Sequence, residues 1–271
     1  MLTERLGTAF WKRVAGARNR RFTTSLRRDE TAPVLLLSPH LDDAVLDCWD
    51  VLTGDGDVEV VNVFALAPPA GTSTEWDRIV GVPESAALFA ARIEEDARAL
   101  SLAGRTPHNL PFLELQYRRG RPFPSWGQID AEVARRVPAA SRVLAPMTIG
   151  TVHPDHALLR GYALALGAQG HAVSLYADLP YCTVYGWPAW VTGSEPEPHL
   201  DIDAYWAPSF EGVPAEPRAA AVTRLDDATA ERKLEAMRAY RTQFPALDRG
   251  PIGNISHPEV HRYEVLWGLP G

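Results

Sequence analysis

Lysine is almost missing from this chain: Lys12 and Lys233 stand alone against 25 arginines. Cysteine is equally scarce. Cys48 and Cys182 form no Cys-x-x-Cys pair, which argues against a disulfide framework and fits a reducing cytoplasm. No apolar run approaches the ~20 residues of a membrane span, so no integral membrane segment is expected. The N-terminus lacks the apolar stretch of a signal peptide, because Phe10-Trp11 runs at once into Lys12-Arg13. No Gly-x-Gly-x-x-Gly follows the first strand, and neither a P-loop nor a Gly-x-Ser-x-Gly elbow appears. Dinucleotide, nucleotide and serine-hydrolase chemistry are therefore disfavoured. No repeat of 20–50 residues is visible.

The chain has 271 residues, 46% of them hydrophobic and 23% charged, enough for one sizeable core. A net charge of −7 argues against a nucleic-acid partner. That charge is uneven. Residues 1–30 hold eight basic and three acidic side chains, a balance of +5, which leaves −12 for the remainder. The expected organisation is a basic N-terminal arm, residues 1–30, and a single domain, residues 31–271. The sequence also admits a homo-oligomer.

Val34-Leu35-Leu36-Leu37 is a short continuous apolar run, the mark of a parallel strand buried on both faces. Helical spacing follows over 42–52, and a β-branched strand over 58–64. Residues 66–83 carry three prolines and two glycines and read as a long loop. A helix over 84–102, a strand over 109–115, an arginine- and aromatic-rich loop over 116–127 and a helix over 129–137 come next. Residues 142–145 are a fourth strand, 154–166 a helix with proline in its first turn, and 173–177 a fifth strand. Residues 182–220 resist assignment, 226–244 read as one long helix, and the tail after Pro245 as irregular. Alternation of strands and helices predicts an α/β fold: a Rossmann-like, mostly parallel sheet with helices on both faces. Such sheets bind ligands past the carboxyl ends of their strands.

Two segments sit at those ends. Ser38-Pro39-His40-Leu41-Asp42-Asp43 follows the first strand, and His153-Pro154-Asp155-His156 follows the fourth. A catalytic zinc takes three N or O ligands and keeps one position open. His40, Asp43 and His156 can supply that set. Fe(II) or Co(II) tolerates the same donors. Asp42 and Asp43 are adjacent and cannot face the same way, so one can bind a metal while the other takes a proton from water. His153, three residues before His156, can meet a developing oxyanion. Asp155 can hold an imidazole in its tautomer. The bland alternative is a helix N-cap and a His-Pro turn.

These two blocks resemble the signature motifs of the PIG-L/LmbE-like deacetylases, a His-Pro-Asp-Asp-Glu block after the first strand and a His-x-Asp-His block late in the sheet. Arg92-Ile93-Glu94-Glu95, Phe112 to Arg118 and Lys233 to Gln243 are similar to further parts of the family, so the likeness runs over about residues 33–245. It is the likeness that implies zinc ligation by His40, Asp43 and His156, a general base at Asp42 and an oxyanion stabiliser and acid at His153. It also implies sugar contacts at Arg92 and Glu114, where Asp is more usual. Leu41 replaces the usual Pro, and Ala44 the usual Glu. The Leu-Asp-Asp-Ala variant is similar to a bacterial branch, some of whose members serve secondary metabolism. The implied reaction is removal of an acetyl or other acyl group from an N-acylated amino sugar or its glycoside. Two rivals are an amidase for a non-sugar amide or thiol conjugate, and a catalytically silent sugar-binding protein.

Other candidates surround these. Trp76 and Trp126 lie in loops that follow strands, where aromatic faces suit sugar rings or simply pack. Tyr117-Arg118-Arg119-Gly120-Arg121 can meet an anionic group or stay solvated. His257 and His261 have metal-compatible spacing, but Pro258 points to a surface turn.

Overall fold

The computed structural model describes residues 18–19, 22–137, 139–150, 152–249 and 253–270. Seven strands form one mixed sheet: β1 Val34–Ser38, β2 Val58–Asn62, β3 Pro107–Asn109, β4 Arg142–Pro146, β5 Val173–Tyr176, β6 Ala221–Arg224 and β7 Tyr263–Gly268. Their order is β3-β2-β1-β4-β5-β7-β6. The first five are parallel, and β7 runs antiparallel to both β5 and β6. Leu35, Leu36 and Leu37 of β1 are wholly buried between β2 and β4, which is why that strand is apolar without alternation. The strand order turns back between β1 and β4, so the crevice such a sheet offers to ligands opens beyond those two strands.

Helices cover both faces of the sheet. Those that position the site are α1 Asp43–Asp47, α2 Trp49–Thr53, α3 Glu75–Ile79, α4 Ser85–Ser101, α5 Trp126–Arg136, α6 Pro154–Ala168, α7 Asp227–Arg238 and α8 Phe244–Arg249. Among the described residues, no helix is long and apolar enough to cross a membrane. Cys48 and Cys182 are buried free thiols.

Several elements differ from the sequence expectation, each for a local reason. The helix over 42–52 is two short helices that break at Cys48. Glu264 accepts from the Trp49 and Asp50 amides at 2.8 and 2.9 Å and so starts α2 afresh. Inside the loop 66–83 lies α3, started by a capping box in which Thr74 and Asp77 satisfy each other's amides. The third strand ends at Asn109, well short of 115; beyond it Pro111 bridges to Phe64 and Leu115–Tyr117 forms a 3-10 turn. The long helix over 226–244 stops at Arg238 and resumes as α8. The tail holds β7, whose Val265 and Trp267 are buried in the sheet.

The expected arm 1–30 falls partly outside the described residues. Of those described, Thr24 and Ser25 bond to Asp130 of α5, Leu26 is buried, and Arg27–Arg28 pairs in parallel with Ala139–Ala140.

Candidate metal-binding and hydrolytic site

The crevice beyond β1 and β4 is a cavity of about 850 Å³. His40, Asp42, Asp43 and His153 lie on its floor, and His156 stands behind them, fully buried. The imidazoles of His40, His153 and His156 cluster, with ring centroids 4.8–5.2 Å apart. One nitrogen from each can be chosen so that all three lie within 4.8 Å of one another. Asp43 joins them: its Oδ2 is 3.5 Å from His40 Nδ1 and its Oδ1 3.5 Å from His156 Nε2.

Local backbone fixes this convergence. β1 ends at Ser38, and the His40 amide donates to Asp43 Oδ2 at 2.7 Å, folding the carboxylate back under the imidazole. On the other strand, the link from β4 to α6 includes Gly150 at φ +71, where a Cβ would meet Tyr205 Oη at 2.0 Å. Only glycine fits there. His153 then caps α6, and Pro154 occupies its first turn.

The imidazoles differ in what holds their outer nitrogens. Asp178 Oδ2 lies 3.0 Å from His156 Nδ1, and Asp178 Oδ1 is itself fixed by the Ile149 amide at 3.1 Å. With the proton on Nδ1, the His156 Nε2 lone pair faces inward, buried and without a partner. Asp155 Oδ2 lies 3.2 Å from His40 Nε2 and accepts from the Leu115 amide at 2.8 Å. Its other oxygen meets Arg118. A carboxylate behind an imidazole is how proteins orient a histidine toward a metal, and an unpartnered buried lone pair beside a carboxylate is what a divalent cation satisfies. The donor set therefore fits a metal. His153 is different: its Nδ1 accepts from the Asp155 amide at 3.3 Å, which leaves the proton on Nε2, and no carboxylate backs it. Asp155 thus backs His40 rather than His153.

Burial also sets the charges. The Asp42 carboxyl is pushed up to about 6 by burial and then by the neighbouring Asp43 charge, against the pull of Arg92. Burial drives His153 well below the ordinary histidine range, reinforced by His40, His156 and Arg118.

The walls come from loops. Trp76 lines the cavity, and its indole Nε1 donates to Gln243 Oε1 at 2.7 Å. Arg92 and Glu114 form a buried ion pair at 2.5 Å on the wall, and Gln116 donates to the far oxygen of Glu114 at 2.7 Å. Arg118 lines it too. Tyr117 and Trp126 do not. Tyr117 packs on Phe89 and donates to Asp77, while Trp126 lies against Gly161 of α6, where a Cβ would approach its ring to 2.9 Å. His257 is exposed, but the expected surface turn is a short helix over Pro258–His261, capped by His257, with His261 buried.

Several residues of the site escape sequence reasoning: Asp178, Tyr181, Gln116, Gln243 and Leu247. Asp178 and Tyr181 follow β5, so the strand-end rule could have pointed to them. Gln243 closes the family-like stretch Lys233 to Gln243 but nothing there marked it as a wall residue, and Leu247 lies beyond that stretch.

Neither a protein-family model nor a curated protein sequence matches the chain. Solved structures do. A deacetylase of the antimicrobial A40926 pseudoaglycone is 26% identical, with a TM-score of 0.62, over 89% of this chain and 97% of its own. A triple mutant of a deacetylase of the teicoplanin biosynthetic pathway is 24% identical, with a TM-score of 0.64, over 87% and 97%. The zinc-inhibited form of a teicoplanin deacetylase is 22% identical, with a TM-score of 0.64, over the same shares. In fold this chain is similar to these deacetylases, and its β1 and β4 carry to one crevice the two blocks that resemble the PIG-L/LmbE-like signature motifs.

Proposed function

We propose that this protein is a metal-dependent hydrolase that removes an acyl group, in the first instance acetyl, from the nitrogen of an amino sugar. We take the sugar to be part of a bacterial natural-product glycoside. The observation that carries the reading is the inward-facing, unpartnered Nε2 of His156 beside Asp43, backed by Asp178. The acetyl group and the natural-product setting rest on the deacetylases of the A40926 pseudoaglycone and of the teicoplanin pathway, to which this chain is similar in fold, and the amino sugar on the resemblance of the two motif blocks.

His40, Asp43 and His156 would hold the cation, zinc or in its place Fe(II) or Co(II). When bound, it supplies a Lewis acid for the amide carbonyl and acidifies water. Asp42 lines the cavity next to these groups without their hydrogen-bond ties and takes the proton from the attacking water. His153 presents Nε2–H to the carbonyl oxygen as it gains charge. The proton that Asp42 takes from the water then passes to the leaving nitrogen, so that amine and acetate depart and the carboxylate is restored. Arg92, Glu114 and Gln116 offer donors and acceptors to sugar hydroxyls, and Trp76 an apolar face to a ring or aglycone. Residues 31–271 would act as one domain, with the basic arm 1–30 outside the chemistry. Two buried thiols suit a cytoplasmic setting.

The test is release of acetate and free amine from N-acetylglucosaminides by the full chain, loaded in turn with each metal. Faster turnover of plain amides or thiol conjugates would favour an amidase of different substrate. Metal bound with no turnover on any amide would reduce the protein to a silent sugar binder.

A further inference from the structure

Four arginines line the cavity: Arg92, Arg118, Arg119 and Arg121. Two are accounted for within the protein, since Arg92 pairs with Glu114 and one arm of Arg118 meets Asp155. Arg118 is nonetheless incomplete. Its side chain is 4% exposed, yet Nε and Nη1 are buried without a hydrogen-bond partner. The guanidinium plane is fixed by the rings of Phe123 and Phe64, 4.0 and 5.2 Å from their centroids. A buried, rigid fork with free donors on a cavity wall is costly unless an acceptor arrives.

Arg119 and Arg121 extend that wall to the rim. Both are exposed, and among the described residues neither lies within ion-pair distance of a carboxylate. The Arg121 amide donates to the Arg118 carbonyl at 2.9 Å, closing a tight turn with Arg119 at φ +45 and Gly120 at φ +80. Arginine adopts that backbone at a cost glycine or asparagine would not incur. The acids that line the cavity, Asp42, Asp43 and Glu114, belong to the metal floor or to the Arg92 pair. The cavity is thus acidic at its floor and purely cationic along the 118–121 side.

We propose that the substrate carries a carboxylate on its aglycone, away from the scissile amide, and that Arg118, Arg119 and Arg121 receive it. The inference rests on the deacetylase reading and narrows its substrate class. A planar oxyanion suits the bidentate guanidinium fork. An aglycone position follows from the rim location, since the acyl group must reach the floor.

The test compares N-acetylglucosaminides of 4-hydroxybenzoic acid, of its methyl ester and of 4-hydroxyphenyl phosphate. With the metal-loaded wild type, KM for the acid should lie about tenfold below that for the ester, the scale of a charge-assisted contact. Raising the salt should weaken only the anionic substrates. In Arg119→Gln/Arg121→Gln, which leaves the Arg118 fork in place, the gap between the acid and ester values should narrow. Equal KM values in the wild type, a preference undiminished in the double variant, or a phosphate favoured over the carboxylate would overturn the proposal. Should no glycoside be hydrolysed, the deacetylase reading fails instead. Calorimetric binding of acid and ester glycosides to both proteins then still decides: tighter acid binding that weakens in the double variant supports the subsite, and equal binding of acid and ester by the wild type rejects it. Unchanged thermal unfolding of the double variant confirms that it is folded.

Discussion

The floor and the walls of the cavity are built by opposite means. Floor residues come from two strand ends, and their polar atoms are tied: His40 to Asp155, Asp43 to the His40 amide, His156 to Asp178. Most wall residues come from α3, from the loop after β3, from the turn after β5 and from the stretch that leads into α8, with Arg92 of α4 added from a long helix. Apart from the buried Arg92–Glu114 pair, they touch one another through single side-chain bonds such as Trp76 to Gln243 and Thr74 to Gln116. A rigid floor suits chemistry that needs fixed geometry, and loop walls suit selection of a substrate's shape.

That contrast can be broken most severely at His156. His156→Ala should empty the site of metal and bring activity to background, with elemental analysis and acetate release as the two readings. Full metal occupancy in this variant would mean that His40, His153 and Asp43 suffice, a set the clustering of the three imidazoles allows. A smaller and different effect is expected beside it. Asp42→Asn and His153→Ala should both keep their metal while kcat falls, by roughly 10²–10⁴-fold for the first and on the order of 10²-fold for the second. Metal loss in either variant would turn a reacting group into a ligand.

The walls should answer in KM. Trp76→Ala removes an aromatic face and the bond to Gln243, and KM should rise about tenfold or less with metal content intact. A fall in kcat alone would show that this wall also orders the floor.

The smallest effect concerns support behind the floor. Asp96 is buried, accepting from Asn62 at 2.6 Å and Tyr240 at 2.8 Å, and burial pushes its carboxyl up to about 7. The folded protein therefore keeps this proton over a range where the unfolded chain releases it. Stability from this group is full at low pH and is lost as pH rises from about 4 to 7. Asp96→Asn should flatten the pH dependence of the urea midpoint across that window. An unaltered slope would mean that Asp96 is ionised in the fold.

Legibility followed the same division. The β1 run Val34–Leu37 and the blocks at His40–Asp43 and His153–His156 were readable, because burial on both faces and strand-end chemistry leave local marks. Asp178 was hidden because one acid after a strand looks like any other until the fold brings it to His156. β7 was missed although Tyr263, Val265 and Trp267 alternate, because Glu264 inside the strand reads as a solvent-facing charge until the fold brings Lys233 of α7 to pair with it in the core. Trp126 and Tyr117 looked like wall residues by their loops, and packing against Gly161 and Phe89 turned them inward.

By itself, then, the sequence determined a mostly parallel α/β sheet and the two strand ends whose histidines and aspartates meet in the crevice. Each of these is written in a few consecutive residues. Only the tertiary structure decided which carboxylate backs which imidazole, that Arg118 is left with free donors, and that Gln243 closes a wall opened by Trp76. These depend on contacts between segments up to 167 residues apart, which no local pattern of side chains encodes.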